Sequence, residues 1–175
     1  MSETSLSRSQ TMDPNLVAPC GMNCNVCSSY LAWTHAIPKA RGRISHCHGC
    51  GRNGKACAYL RKWCKPLKNE EVRFCFECAD FPCHRLEHID ARYRTRYGAS
   101  FIANLRTIQH KGIASFLRSQ RREFRCDRCR TDVLSVHNRK CYRCDTIRNW
   151  KTRSMVLSKP VGSKRKQAVR KDGEG

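Results

Sequence analysis

Between Pro82 and Leu117 apolar residues recur at the spacing of helix faces. Leu86, Ile89 and Tyr93 fall three and four apart, the interval that lines one side of a helix. Pro82 suits the first turn, where its missing N–H would have no partner anyway, and Gly98 stands where a left-handed residue ends a helix. Ser100 caps a second helix with Phe101, Leu105 and Ile108 on one face and Gly112 after them. Ile113, Phe116 and Leu117 begin a third, shorter one. Upstream, a helix is expected to start near Asn23 and run through Tyr30, Leu31 and Trp33 toward His35, with Pro38 just beyond it. Further on, Thr131, Val133, Leu134 and Val136 supply strand-forming residues.

These apolar faces make a lean core. The 39% apolar fraction includes 14 cysteines and falls to about 31% without them. Metal sites can make up the difference, because a structural zinc contributes on the order of 10–16 kcal/mol and binds only the folded ligand set. Disulfides would need an oxidising compartment. The opening stretch MSETSLSRSQTMDPN has no apolar run of the signal-peptide kind, and no segment approaches the roughly 20 apolar residues of a membrane helix. The expectation is therefore a cytoplasmic chain without membrane partners, whose thiols are reduced and bind metal.

The cysteine spacing supports that chemistry. The sequence Cys126-x2-Cys129-x11-Cys141-x2-Cys144 has the form of a zinc ribbon, two knuckles closing one tetrahedron of sulfurs. Glycine is favoured just after the second cysteine of a knuckle, where φ is positive, yet Arg130 and Asp145 stand there. His137 lies between the pairs and is read as an exposed loop histidine, since four cysteines suffice. The first block holds ten more: Cys20, Cys24, Cys27, Cys47, Cys50, Cys57, Cys64, Cys75, Cys78 and Cys83. Three of its pairs, Cys24/Cys27, Cys47/Cys50 and Cys75/Cys78, have the two-residue gap that suits one metal; their partners cannot be deduced from spacing. Two to three zinc ions are expected, with an iron–sulfur cluster possible in this N-terminal block, since spacing does not separate the two metals. Cys20-x3-Cys24-x2-Cys27 is also the spacing of radical-SAM enzymes, but the chain is too short for the usual barrel and shows no strand–helix alternation.

Charge narrows the partners. The formal net charge is +21, and three tetrathiolate zinc sites would still leave about +15. From Arg85 to Arg125 ten basic residues face three acidic ones. Among them Arg92, Arg94, Arg96, Arg118, Arg121, Arg122 and Arg125 are candidate phosphate contacts, joined in the tail by Lys151, Arg153, Lys164, Arg165 and Lys166. Phe124, Tyr142 and Trp150 either stack on bases or fill the core of the ribbon, and the second role is favoured. The function expected is a non-enzymatic zinc protein that docks on nucleic acid, RNA before DNA, with the ribosome as a candidate site. Two other readings compete. One is an iron–sulfur or thiol-based redox protein, with Cys24 and Cys27 activated near a helix N-terminus. The other is a protein–protein adaptor. No Ser/His/Asp set, phosphate-cradling glycine loop or carboxylate pair argues for hydrolysis.

The run Cys20-Gly21-Met22-Asn23-Cys24-Asn25-Val26-Cys27, followed by Cys47-His48-Gly49-Cys50 and by Phe74-Cys75-Phe76-Glu77-Cys78-Ala79-Asp80-Phe81-Pro82-Cys83, resembles an uncharacterised prokaryotic family, domain of unknown function 3795. The resemblance covers roughly residues 18–146. It implies a small cysteine-rich, metal-binding domain and no catalytic residues. The fold expected is a small metal-stabilised α+β chain: a disordered N-terminus at residues 1–17, a mainly helical cysteine-rich domain at 18–122, a zinc ribbon at 123–150 and a basic tail at 151–175.

Overall fold

The computed structural model describes residues 11–40, 44–50 and 63–145. Cys57, Trp150 and the tail residues Lys151, Arg153, Lys164, Arg165 and Lys166 lie outside the described residues.

The chain is mainly helical, and its β-structure among the described residues is limited to isolated bridges. Among the described residues four α-helices follow in order: α1 (Ser28–Thr34), α2 (Lys65–Lys68), α3 (His84–Tyr97) and α4 (Phe101–Glu123). Short 3-10 turns at Pro14–Leu16, Cys24–Val26 and Cys75–Glu77 punctuate the cysteine-rich part. Among the described residues no helix is long and apolar enough to cross a membrane.

The helical periodicity reads through into the core. Leu86 from α3 and Leu105 from α4 are fully buried, joined by Phe101, Ile108, Phe116 and Leu117. Gly98 closes α3 in the left-handed region at φ 68°, and its amide reaches the Arg94 carbonyl at 3.0 Å. Ser100 caps α4, its Oγ accepting from the Ala103 amide at 3.1 Å. Gly112 leaves helical geometry at φ 75° and ψ 159°, so α4 is two arms meeting at a kink, as the glycine foretold. Asp90 fixes the α3–α4 corner. It is buried, accepts from Ser100 Oγ at 2.8 Å and the Ile102 amide at 3.0 Å, and pairs with Arg94 at 3.1 Å.

Two expectations change. The helix expected near Asn23 begins only at Ser28. Asn23 instead caps the 3-10 turn Cys24–Val26, accepting from the Asn25 amide at 3.1 Å, and Cys27 is extended at φ −76° and ψ 132°. Presenting Cys24 and Cys27 on one turn requires that break. Part of the stretch expected to be disordered packs on the core: Leu16 and Val17 are buried, and the exposed Asp13 caps the turn at Pro14–Leu16.

Candidate metal centres

The chain leaves α4 at Phe124 and enters a segment built around four cysteines. The sulfurs of Cys126, Cys129, Cys141 and Cys144 all lie within 4.8 Å of one another, and among the described residues no other group of metal-ligating side chains converges so closely. Cys126 and Cys144 sulfurs are 3.9 Å apart, and those of Cys129 and Cys141 are 3.8 Å apart. Four sulfurs at about 2.3 Å from a central ion in a tetrahedron stand about 3.8 Å from each other. A disulfide would need about 2.05 Å, and every described cysteine is unbridged. The four residues fit a single tetrahedral metal ion.

Backbone geometry sets these sulfurs. Antiparallel bridges pair Arg125 with Val133 and Leu134 with Cys141, so the expected strand residues contribute single bridges in place of continuous strands. Arg130 occupies the position where glycine is favoured and takes the left-handed conformation itself, at φ 56°, with its amide on the Cys126 carbonyl at 2.8 Å. Asp145 closes the second knuckle: its carboxylate accepts from the Cys141 amide at 2.9 Å and pairs with Arg128. Burial pushes against ionisation of Cys129, but the Thr131 hydroxyl and the Asp132 and Thr131 amides outweigh it and hold the thiol at about 6. Burial pushes Cys141 up despite the Cys144 and Arg143 amides. A metal ion would favour the thiolate at all four.

This segment docks on the first block. The Val136 amide donates to the Val26 carbonyl at 2.9 Å. His35 Nε2 meets the Asp132 carboxylate at 3.0 Å. Burial works to raise the Asp132 pKa, yet His35 and the Val133 amide hold it below the usual carboxylate range. His137 is no exposed loop residue. Its Nδ1 accepts from the Ser28 amide at 3.2 Å, its Nε2 lies 3.2 Å from Tyr93 Oη, and its ring meets Tyr93 and Tyr97 edge-on. It does not ligate; it joins the cysteine segment to α1 and α3. Sequence spacing carried no signal for this, because its partners lie 109 and 44 residues away.

Burial lowers the pKa of His137, so the folded chain holds it neutral. A depressed folded value means that its contribution is complete above the unfolded value of about 6.5 and is lost as pH falls through the folded one. The stability difference between the native chain and His137→Gln should therefore be about 1–3 kcal/mol near pH 7.5, the worth of its hydrogen bonds, and should narrow below about pH 6.5. Urea unfolding at both pH values checks this; a gap that widens in acid contradicts it.

Among the described cysteines of the first block two neighbourhoods form. Cys24 and Cys27 face Cys47 and Cys50, while Cys75 has Cys20, Cys64, Cys83 and Cys78 around it. Cys20 stands near Cys75, and the Cys75 amide donates to the Pro19 carbonyl at 2.9 Å and ties that end of the loop to the second set. The sulfurs of Cys20, Cys24 and Cys27 do not all lie within 4.8 Å of one another, so in this arrangement they do not form the ligand set of a single ion. The expected activation of Cys24 and Cys27 is also reversed. The Cys50 thiol beside it, then burial, push Cys24 up, and burial pushes Cys27 up. Burial and the four thiols around it push Cys75 up to about 12.

The candidate phosphate contacts occupy two helices and the segment after them. Arg92, Arg94 and Arg96 on α3 are exposed, as are Arg118 and Arg122 on α4 and Arg125 beyond it. Arg121 is partly covered and donates to the Thr131 carbonyl at 3.1 Å. Phe124 and Tyr142 are buried, so they serve the core and are not free to stack on a base.

Residues 16–88 match the model of a family described as protein of unknown function, DUF3795. The match takes in all ten first-block cysteines and stops early in α3, so most of that helix, α4 and the Cys126–Cys144 centre lie outside it. No curated protein and no solved structure matches the chain.

Proposed function

We propose that the protein is a non-enzymatic zinc-thiolate module that docks on nucleic acid, with RNA, in particular ribosomal RNA, as the favoured partner. The observation that carries the reading is the concentration of exposed arginine on α3 and α4, five of the six candidate side chains there, and Arg125 just beyond them, being open to solvent, in a chain of net charge +21. The sulfur separations of 3.8 and 3.9 Å support zinc in a ribbon at the C-terminal centre, because a four-iron cluster places each thiolate on a different iron and spreads the sulfurs further apart. The helices position the arginines, and the zinc centre stiffens the segment that follows α4. With Phe124 and Tyr142 buried, the contact is to phosphates and ribose rather than by base stacking.

Titration of the full chain against structured RNA at several salt concentrations tests this. Contacts to about six phosphates predict a log K against log salt slope of roughly −4 to −5. Arg92→Ala and Arg122→Ala should each reduce its magnitude by about 1. Affinity that does not change with salt would sink the proposal. The alternative is an iron–sulfur or thiol-based redox protein. Metal content with an absorption spectrum separates the cluster form, since zinc leaves the solution colourless and iron–sulfur colours it, and alkylation of the metal-loaded chain separates the thiol form, since a free catalytic thiol reacts before any chelator is added.

A further inference from the structure

The loop 44–50 is fastened at one point to the turn that carries Cys24 and Cys27 and at three to α1, which follows it directly. The Cys47 amide donates to the Ser29 carbonyl at 3.2 Å. Ser29 and Ser45 hydroxyls are 2.7 Å apart. The rings of Trp33 and His48 meet at 4.5 Å. The Cys50 amide donates to the Cys24 sulfur at 3.3 Å. Gly49 makes the close approach: at φ 100° it has no Cβ, and one would stand 2.5 Å from Leu16 Cδ2. Two Cys-x2-Cys turns thus oppose each other, as they do at the C-terminal centre.

The local chemistry repeats as well. In that centre the amides two and three residues ahead stabilise the thiolates of Cys129 (Thr131, Asp132) and Cys141 (Arg143, Cys144). At Cys27 the same offsets are filled by Ser29 and Tyr30, in the first turn of α1. Backbone amides aimed at a sulfur favour its anionic, metal-binding form. We infer that Cys24, Cys27, Cys47 and Cys50 form a second tetrathiolate site for one tetrahedral divalent metal ion, separate from the Cys126–Cys144 centre. No three of these sulfurs lie within 4.8 Å of one another, unlike the four of that centre; binding one ion would require the thiols to rotate between staggered wells and close together. The four thiol protons leave to solvent as the ion binds. Cys20, Cys64, Cys75, Cys78 and Cys83 are outside this site.

The test uses the full chain loaded with zinc. Alkylation of the native protein followed by mass mapping should find Cys24, Cys27, Cys47 and Cys50 protected together and released together by a chelator. Cys27→Ser and Cys47→Ser should each lose one metal equivalent, and the double variant should lose the same one and no more. Free alkylation of Cys27 and Cys47 while Cys126 and Cys129 stay protected would overturn the assignment, as would loss of two equivalents in the double variant, or iron with inorganic sulfide on these four. If the variants do not fold, the protection pattern of the native chain decides. Because the Cys126 set is read in the same digest, failure at one centre is distinguished from failure at the other.

Discussion

Cys141→Ser should remove one metal equivalent and open residues 124–145 to trypsin, while α3 and α4 stay helical. Cys141 is fully buried and belongs to both the sulfur tetrahedron and the bridge with Leu134. A structural zinc is worth on the order of 10 kcal/mol, comparable with the whole stability of a small domain, about 5–15 kcal/mol. The segment has little else to hold it: its β-structure is two isolated bridges, and its buried apolar residues are few, among them Phe124, Val133, Val136 and Tyr142. Without the ion, exposed Arg125, Arg128, Arg130, Arg139 and Arg143 become cleavage sites. The first block should survive at reduced stability, because it loses the contacts of Val26, Ser28 and His35 with Val136, His137 and Asp132. Metal analysis and timed digestion decide it. A variant with full metal and native resistance to trypsin would show that the four sulfurs hold no ion.

What could be read in advance follows from how local each cause is. Leu86, Gly98, Ser100 and Gly112 act within one or two helical turns, so α3, its stop, the next cap and the kink were visible in the residue pattern. The Cys126–Cys144 set was visible for the same reason: its two pairs are close along the chain, and the chemistry of a tetrahedral ion fixes what such spacing can do. The start of α1 was misplaced because Asn23 and Cys27 answer to the metal-knuckle turn rather than to helix periodicity. The division of the first-block cysteines was hidden for a third reason. Cys20 and Cys24 are four residues apart yet join different neighbourhoods, through backbone contacts from Cys75 and from Cys50 that spacing does not encode. His137 and Asp145 look like surface polar residues in sequence and become structural only through distant or cross-knuckle partners.

The second large effect is expected at Gly21, between Cys20 and Cys24. Gly21→Ala should cost about 2–5 kcal/mol, roughly two to three times the cost of Gly98→Ala. Both glycines have positive φ, 86° and 68°, so both substitutions bear a conformational cost of about 1–2 kcal/mol. Only at Gly21 does the new methyl meet the fold. Its Cβ would stand 2.5 Å from the Phe101 carbonyl oxygen and 2.9 Å from Leu105 Cγ, whereas nothing lies within 4 Å at Gly98. Neither obstacle yields easily, since the first is backbone at the start of α4 and the second is a fully buried side chain. Relief would require α4 to withdraw from the cysteine loop, breaking the Asn104 Nδ2 bond to the Gly21 carbonyl at 2.9 Å, and overpacking of this kind adds about 1–3 kcal/mol. Denaturant unfolding of the two variants in parallel isolates the steric part, because the conformational part is common to both. Equal losses would mean that α4 does not press on this loop. A much larger loss at Gly21, with less metal retained in the first block, would show that the α4 packing holds the cysteine turns in position.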